Sequence, residues 1–280
     1  MRIGFVDYKL NNFHTNTYLK LLRGELKGLG AVAAAAWGMD EESSRQWAAE
    51  NQVPWYDSAR AVADAVDGVM ILSPDNQEYH RSLAEQVFPA GKPTFIDKTF
   101  ATSVADGEAI FAMAHQHRVK IFSTSALRFT PAFTDYLASP DAAGLFDLAM
   151  EGPATWEKYA VHQVEPLVAA FGPQLRRVRA TQHDPKLVRV DLEWKDGRTG
   201  HITVNGYGWI PFRLVATTPS GAKVLDMNDG TFYTRQLEHI IAFFRDGQPP
   251  VPEEQTLAVA WVLENVPRSL AQGGAWVERG

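Results

Sequence analysis

The stretch IGFVDYKLNNFH, residues 3–14, combines an apolar strand pattern with a polar turn and the beginning of a helical pattern. The apolar part begins at Ile3, and a helix is expected to begin near His14. A dinucleotide-binding protein carries a glycine-rich phosphate turn between its first strand and first helix. Here no glycine follows Gly4 within the stretch. The pattern predicts a strand–turn–helix of the nucleotide-binding type in which the turn itself is altered.

The rest of the N-terminal half alternates apolar runs with amphipathic stretches. The runs expected to form strands are residues 3–6, 32–36, 68–73, 93–97 and 120–123. The stretches expected to form helices are residues 15–23, 41–50, 58–65, 78–88 and 104–118. Such alternation forms right-handed crossovers on a parallel sheet, with ligands at the carboxyl ends of the strands. We therefore predict a Rossmann-like, doubly wound α/β domain over residues 1–122.

The pattern changes in the second half of the chain. In KLVRVDLEW, residues 186–194, apolar and polar side chains alternate with a period of two, which indicates an antiparallel strand with one buried face. Turn signals at 196–197 and 219–221 predict a strand meander over 175–226. Helical patterns follow at 232–245 and 253–271. We predict an α+β domain with an open, largely antiparallel sheet over residues 123–280.

The composition restricts the classes of protein that fit the chain. Its 280 residues carry a formal net charge of −6, which argues against nucleic acid as a partner. There is no cysteine and no histidine pair with metal-ligand spacing, so we predict no metal site. The apolar runs are shorter than the ~20 residues that span a bilayer, and no signal-peptide pattern precedes the first strand. We expect a cytoplasmic protein that does not bind membranes.

Five longer motifs follow one another along the chain. They are VMILSPDNQEYHRSLAEQVFPAGKP (69–93), GKPTFIDKTFATSVADGEAI (91–110), KIFSTSALRF (120–129), YAVHQVEPLVAAFG (159–172) and LEHIIAFFRDGQPPVPEEQTLAVAWVLENVPRSLAQGG (237–274). Their order and spacing resemble the Gfo/Idh/MocA oxidoreductase family, in which Glu-Lys-Pro usually stands where this chain has Asp97-Lys98-Thr99. The resemblance implies a Rossmann domain that binds NAD or NADP. It also implies an open-sheet domain that forms the substrate wall and often an oligomer interface.

The resemblance assigns catalytic roles to Lys98 and His162. An ammonium after the strand 93–97 would polarise the reacting oxygen and stabilise the alkoxide character that develops on it. The alternative for Lys98 is a solvated lysine paired with an acid. His162 would be the general base, because imidazole titrates near neutral pH. The alternative for His162 is a helix histidine packed into the seam between the domains.

Two further candidate catalytic residues precede His162. Many family members carry an aspartate four residues before this histidine, and here that position is Lys158. On a helix, Lys158 would share a face with His162 and lower the histidine pKa, but an extended, solvated lysine fits the pattern equally well. Tyr159 would offer His162 a phenolic contact in place of the carboxylate.

Arg128 is a candidate substrate ligand beside Lys98 and His162. A guanidinium suits bidentate binding of a carboxylate, a phosphate or a vicinal diol. A structural salt bridge is the alternative for this residue.

The predicted cofactor site combines the altered turn with the ends of later strands. Its residues are Asp7, Tyr8, Lys9, Leu10, Asn11, Asn12, Ser73, Pro74, His80, Asp97 and Lys98. Asparagine tolerates the left-handed backbone that glycine provides, and Lys9 offers a positive charge to a phosphate, whereas Asp7 would repel it. Trp37-Gly38 replaces the acid that would hold the adenosine ribose. For His80, either a structural role or a place at the edge of the cofactor fits.

We therefore expect an NAD- or NADP-dependent oxidoreductase that acts on a hydroxyl or keto group of a sugar, sugar acid or cyclitol. The missing glycines favour two alternatives in which ordinary dinucleotide binding is lost. One is a carbohydrate-binding or regulatory protein, and the other is a lyase or isomerase that uses Lys98 and His162. In each case the expected partner is a small carbohydrate-like molecule, and a homo-oligomer is expected to form through the C-terminal sheet.

Overall fold

The computed structural model describes all 280 residues, and their contacts divide the chain into two units. The first unit comprises Met1–Thr124 together with Tyr233–Thr256, and the second comprises Ser125–Phe232 together with Leu257–Gly280. The segment Tyr233–Thr256 was expected in the C-terminal domain. Its contacts instead make it part of the first unit, which is therefore built from two separate pieces of chain.

The elements alternate as expected in the first half of the chain and change character in the second. The strands are β1 (Arg2–Asp7), β2 (Val32–Gly38), β3 (Gly68–Ile71), β4 (Thr94–Ile96), β5 (Ile121–Ser123), β6 (Asp147–Pro153), β7 (Leu175–Asp184), β8 (Leu187–Trp194), β9 (Thr199–Asn205), β10 (Arg213–Thr218), β11 (Gly221–Asp226) and β12 (Val277–Glu278). The α-helices are α1 (Phe13–Arg23), α2 (Glu41–Glu50), α3 (Ala59–Asp64), α4 (His80–Val87), α5 (Val104–Gln116), α6 (Pro131–Ala138), α7 (Trp156–Phe171), α8 (Phe232–Asp246) and α9 (Glu253–Ala271).

The first unit contains a five-stranded parallel sheet in the order β2-β1-β3-β4-β5. Strand β1 pairs with β2 on one side and with β3 on the other, so the strand order reverses at this point. In open α/β sheets a ligand binds outside the carboxyl ends of the strands at such a reversal. The predicted doubly wound parallel sheet is confirmed, and the candidate ligand crevice lies at the ends of β1 and β3.

Helix α8 joins the first unit because its apolar face completes the core of the parallel sheet. The ring of Phe243 meets Phe122 of β5 edge-on, with centroids 5.0 Å apart. Gly68, the first residue of β3, leaves room for Phe244, since a Cβ at this position would lie only 2.5 Å from that ring. The two phenylalanines thus attach α8 to both β3 and β5.

The second unit contains a seven-stranded mixed sheet in the order β11-β10-β6-β9-β8-β7-β12. Only β6 and β9 pair in parallel, and the other neighbours are antiparallel. Along β8 the side chains of Val188, Val190, Leu192 and Trp194 are buried, as the period of two predicted. The predicted open, largely antiparallel sheet is confirmed. Strand β6, in contrast, was not predicted.

No helix of this chain combines the length and the apolar character that are needed to cross a lipid bilayer.

Candidate active site

At the end of β1 the carboxylate of Asp7 organises the turn that leads into α1. The side chain is buried and accepts hydrogen bonds from five groups at 2.8–3.2 Å. The donors are the backbone N–H groups of Lys9 and Ser73, the hydroxyls of Ser73 and Thr15, and the side-chain amide of Asn12. Burial is the main cause that raises the pKa of Asp7 to about 6, although these hydrogen bonds act in the opposite direction.

Ser73 connects this turn with the end of β3. Its N–H and its hydroxyl both donate to Asp7 Oδ1, at 3.0 and 3.2 Å, and its Oγ accepts from the N–H of Tyr8 at 2.7 Å. The backbone of Ser73 has a φ of 28°, which a residue with a side chain rarely adopts. The bonds to Asp7 and Tyr8 hold it in that conformation.

Two further backbone donors of the turn, those of Leu10 and Asn12, are also bonded within the first unit. Leu10 N–H donates to Ser44 Oγ at 3.1 Å, and Asn12 N–H donates to the carbonyl of Leu10 at 2.8 Å. Asn12 is also the N-cap of α1, since its side-chain oxygen accepts from Thr15 N–H at 3.0 Å. Leu10 is fully buried, whereas Asn11 is exposed.

The segment between β2 and α2 covers the other side of the turn. Met39 N–H donates to the carbonyl of Asp7, and Asp40 N–H donates to that of Tyr8. The cation of Lys9 lies 3.9 Å from the carboxylate of Asp40, so the charge expected to attract a phosphate faces an acid. Asp40 also accepts from Ser43 N–H as the N-cap of α2, which is the simple role that its position suggested.

Lys98 lies just past the carboxyl end of β4 and is only 8% exposed. Its ammonium donates to the carbonyl of Pro74 at 3.0 Å, and its backbone N–H donates to Asp97 Oδ1 at 2.8 Å. The solvated, acid-paired lysine that the sequence left open is therefore not what the structure contains. An ammonium has three N–H donors, so this buried cation retains donors for a ligand.

A buried polar chain lies behind Lys98. Asp97 Oδ2 is 2.5 Å from His14 Nδ1, and His14 Nε2 is 3.1 Å from the hydroxyl of Tyr233 on α8. Asp97 and His14 are both buried. Asp97 therefore connects the backbone of Lys98 with helix α1, and its side chain is surrounded by protein groups.

His80 occupies an interior position at the beginning of α4. It is fully buried, with Nδ1 3.0 Å from the carbonyl of Phe100 and Nε2 3.4 Å from that of Leu72. Burial lowers the pKa of this histidine. These contacts favour the structural role for His80 over a place at the edge of a cofactor.

In the second unit, His162 lies on α7 beside Ser125. Ser125 Oγ is 2.7 Å from His162 Nδ1. In the tautomer that carries its proton on Nδ1, that proton is donated to the serine and the basic lone pair lies on Nε2. The hydroxyl of Ser125 thus orients the imidazole, a function for which the family resemblance suggested a carboxylate.

Arg128 lies next to this pair and forms an ion pair with Glu165 of α7. The NH1 group of Arg128 is 3.2 Å from Glu165 Oε1, and both side chains are at most 10% exposed. Glu165 Oε2 also accepts from the N–H of Ser125 at 3.1 Å. The structure thus shows the salt bridge that was the alternative reading for Arg128.

Aromatic side chains surround His162 on its other side. The ring of Tyr159 meets that of His162 at 5.4 Å and that of Trp209 at 6.0 Å, both in edge-to-face contacts. Trp209 lies between β9 and β10 and is 70% exposed. Lys158 belongs to α7, as predicted, and its side chain is exposed.

Sequence reasoning did not select His14, Tyr233, Ser125 or Glu165 as site residues. His14 and Ser125 directly follow the turn and the last parallel strand, so their position after a strand end was an available signal. Tyr233 lies 219 residues from His14, and Glu165 lies 37 residues from Arg128. No local pattern connects such distant residues.

The N-terminal part of the first unit is similar to the nucleotide-binding domain of an oxidoreductase family. Residues 2–125 match the Gfo/Idh/MocA family, described as an oxidoreductase family with an NAD-binding Rossmann fold. Inositol 2-dehydrogenase 1 of Saccharopolyspora erythraea is 27% identical over 177 residues, which are 61% of this chain and 49% of the relative. The chain thus spans about half the length of the curated relatives it matches.

The fold of this chain is similar to that of two solved structures. The myo-inositol dehydrogenase of Lactobacillus casei in complex with NAD(H) and myo-inositol has a TM-score of 0.85 at 13% identity, covering 100% of this chain and 97% of that chain. The myo-inositol dehydrogenase of Corynebacterium glutamicum ATCC 13032 has a TM-score of 0.82 at 17% identity, covering 100% and 99%. At these identities the likeness shows the fold alone.

The matched family is described as NAD-binding, but the β1–α1 turn of this chain does not have the usual form of a dinucleotide site. A dinucleotide-binding turn presents backbone N–H groups to the pyrophosphate, and glycines allow the phosphate to approach closely. Here the N–H groups of Tyr8, Lys9, Leu10 and Asn12 donate to acceptors within the protein. At the place of the ribose acid, any side chain at Gly38 would collide with Ser44, whose Oγ is 2.3 Å from a Cβ built there. These residues do not fit a dinucleotide bound in the usual way.

Proposed function

We propose that this chain is an enzyme that acts on a hydroxyl or keto group of a sugar, sugar acid or cyclitol. Lys98 and His162 are its catalytic residues. The match of residues 2–125 to an oxidoreductase family makes dehydrogenation or the reverse reduction the first candidate reaction. NAD or NADP would supply the redox chemistry.

The observation that carries this proposal is that the ammonium of Lys98 is buried and donates to a carbonyl oxygen. A lysine is rarely buried without a partner of opposite charge, and this ammonium donates to the carbonyl of Pro74 rather than to a carboxylate. Its remaining donors can bind the oxygen of the reacting group. A cation in this position stabilises the negative charge that develops on that oxygen when its proton leaves.

His162 is the proton acceptor in this proposal. The Nδ1–Ser125 contact fixes the orientation of the ring, and in the tautomer with its proton on Nδ1 the basic lone pair lies on Nε2. A positioned histidine contributes about 10²–10⁴-fold to a rate as a general base.

The substrate class rests on two observations. The related proteins named above are inositol dehydrogenases. The exposed indole of Trp209, which contacts Tyr159 next to His162, offers an apolar face of the kind that ligand sites use together with a few polar groups. Such a surface suits a ring that has hydroxyl groups on its edge and C–H groups on its face.

The altered β1–α1 turn favours a second candidate, a lyase or isomerase that uses the same two residues without net oxidation. Removal of a proton beside a carbonyl needs a general base and a cation at the carbonyl oxygen. His162 and Lys98 provide these two groups without a dinucleotide. A protein that only binds carbohydrate has less support, because binding alone requires neither a buried cation nor an oriented base.

A substrate panel tests both candidates. The purified protein would be incubated with cyclitols, sugars and sugar acids, with NAD, with NADP and without nucleotide. Absorbance at the nicotinamide band reports oxidation, and proton NMR reports isomerisation or elimination. The Lys98→Met variant is the negative control for each reaction, and Lys27→Met, which changes an exposed lysine, is its matched control. Absence of any Lys98-dependent product would reject the proposed function.

A further inference from the structure

The crevice at the ends of β1 and β3 holds an anion that belongs to the protein itself. We propose that the Asp7 carboxylate competes with the pyrophosphate of a dinucleotide for the donors of this crevice, so that removing Asp7 strengthens the binding of NADH and NADPH. This inference concerns how the first unit admits a dinucleotide, and it does not depend on the substrate or the reaction proposed above.

The first step of the argument is the position of Asp7. It is the last residue of β1, and its principal partner Ser73 follows β3, the strand at which the order of the sheet reverses. In this fold the ligand lies in the crevice between these two strand ends. Both the N–H and the hydroxyl of Ser73 donate to one oxygen of Asp7, so direct hydrogen bonds cross the crevice.

The second step is the set of donors that Asp7 engages. The carboxylate accepts from two backbone N–H groups, two hydroxyls and one side-chain amide. Donors of this kind, at the beginning of a helix, are those that bind phosphate groups in other proteins. The carboxylate satisfies them in the way that a phosphate oxygen would.

The third step is steric. The rings of Tyr8 and Tyr79 are stacked, with centroids 4.8 Å apart and planes inclined by 10°. Tyr8 follows β1, and Tyr79 precedes α4. This ring pair connects the end of β1 with the segment between β3 and α4, so it is a second contact across the crevice beside the Asp7–Ser73 bonds.

The fourth step is electrostatic. A pyrophosphate brought to the turn would meet the negative charge of Asp7 in a buried environment, where like charges repel more strongly than in water. The one nearby cation on the turn, Lys9, lies beside the carboxylate of Asp40. A dinucleotide must therefore displace or neutralise Asp7 before it can use the donors of the turn.

Titration with NADH and NADPH, followed by nucleotide fluorescence and by calorimetry, tests the competition. Asp7→Asn removes the charge of the side chain and keeps its shape. Asp7→Gly introduces a glycine, the residue type that dinucleotide-binding proteins usually have in this turn. We expect the dissociation constant to fall at least tenfold in Asp7→Asn and further in Asp7→Gly. Asp75→Asn is the matched control, because it removes an exposed carboxylate two residues after Ser73, and we expect a change of less than twofold.

An unchanged dissociation constant in folded Asp7 variants would overturn the proposal, and so would the absence of binding in wild type and variants alike. Hydrogen exchange in the wild-type protein provides a second test if the variants do not fold. The N–H groups of Lys9 and Ser73, which donate to Asp7, should exchange at least 100-fold more slowly than in an unstructured peptide when no nucleotide is present. Rapid exchange at both positions would show that the crevice is open and would reject the competition.

Discussion

His14 Nδ1 lies 2.5 Å from Asp97 Oδ2 in the interior of the first unit. The same carboxylate accepts from the N–H of Lys98 through its other oxygen, so one side chain connects helix α1 with the backbone of the proposed catalytic lysine. Asp97 is thus a positioning residue for Lys98. The contact also explains why His14, the last residue of the stretch 3–14, is buried.

Replacing Asp97 with Ala should lower the free energy of unfolding by about 3 kcal/mol, because it leaves a buried imidazole and a backbone N–H without their acceptor. Urea denaturation measures this change. Asp75→Ala, at an exposed position, is the control and should change stability by less than about 0.5 kcal/mol. Equal stability of the two variants would show that the His14–Asp97 contact contributes nothing.

The raised pKa of Asp7 predicts a specific dependence of stability on pH. The folded protein holds the Asp7 proton up to about pH 6, whereas the unfolded chain releases it near 3.8. Between these values the folded state binds more protons, so stability falls as the pH rises, by about 3 kcal/mol in total. The stability of wild type relative to Asp7→Asn should therefore decrease by most of that amount between pH 4 and pH 7.5. Parallel stability curves for the two proteins would contradict the buried, high-pKa carboxylate.

Lys98→Ala and His162→Ala should each lower turnover by ~100-fold or more, because they remove an electrostatic partner and a general base. Steady-state kinetics on the substrate found in the panel measures the effect, and circular dichroism verifies folding. Ser125→Ala should have a smaller effect, mainly on turnover rather than on KM, because Ser125 orients His162 without being the base. Near-normal turnover in either alanine variant would remove that residue from the site.

A double-mutant cycle separates a structural from a substrate-binding role of Arg128. Because the Arg128–Glu165 pair is buried, we expect removal of either partner to cost about 3 kcal/mol of stability. The exposed pair Arg60–Asp64 is the control, with an expected coupling of about 0.3–0.5 kcal/mol. If Arg128→Ala leaves stability unchanged but raises KM, the guanidinium serves the substrate instead.

Lys158 provides a test through the pH–rate profile. If its charge reaches His162, Lys158→Met should move the acidic limb of the profile to higher pH, and Lys158→Asp should move it further in the same direction, because a carboxylate stabilises imidazolium. The Lys158 side chain is exposed in the structure, so a pH–rate profile that stays unchanged would also be informative. An acidic limb that neither substitution moves would identify Lys158 as a solvated surface residue.

Local patterns in the sequence were sufficient for most of the fold and for part of the site. The period of two in β8 and the capped helices of the first half depend on neighbouring residues, and helix α9 begins and ends where its pattern predicted. Strand β6 has the same alternation at Leu148 and Met150, but it lies alone between two helices, away from the other strands in the sequence. The roles proposed for Lys98 and His162 came from the resemblance to a family, because neither residue by itself indicates a catalytic role.

The contacts that decide the chemistry lie between distant residues, and this is why the sequence left them open. Asp7 was expected to repel a phosphate, but nothing local indicated that Ser73, 66 residues away, would engage its charge. Likewise, Arg128 could serve a substrate or a salt bridge until Glu165 was placed beside it. Long-range pairs of this kind follow from the packing of the elements, which the local pattern does not determine.

The attachment of α8 to β3 and β5 has a consequence for the order in which the protein is made. A ribosome that has synthesised residues 1–124 has produced all five strands of the parallel sheet, but not Phe243 and Phe244, which cover part of its apolar surface. That surface stays exposed while more than a hundred further residues are added. The nascent first unit is therefore a client for holding chaperones, and a fragment that ends at residue 124 should aggregate unless a peptide covering 233–256 is supplied with it.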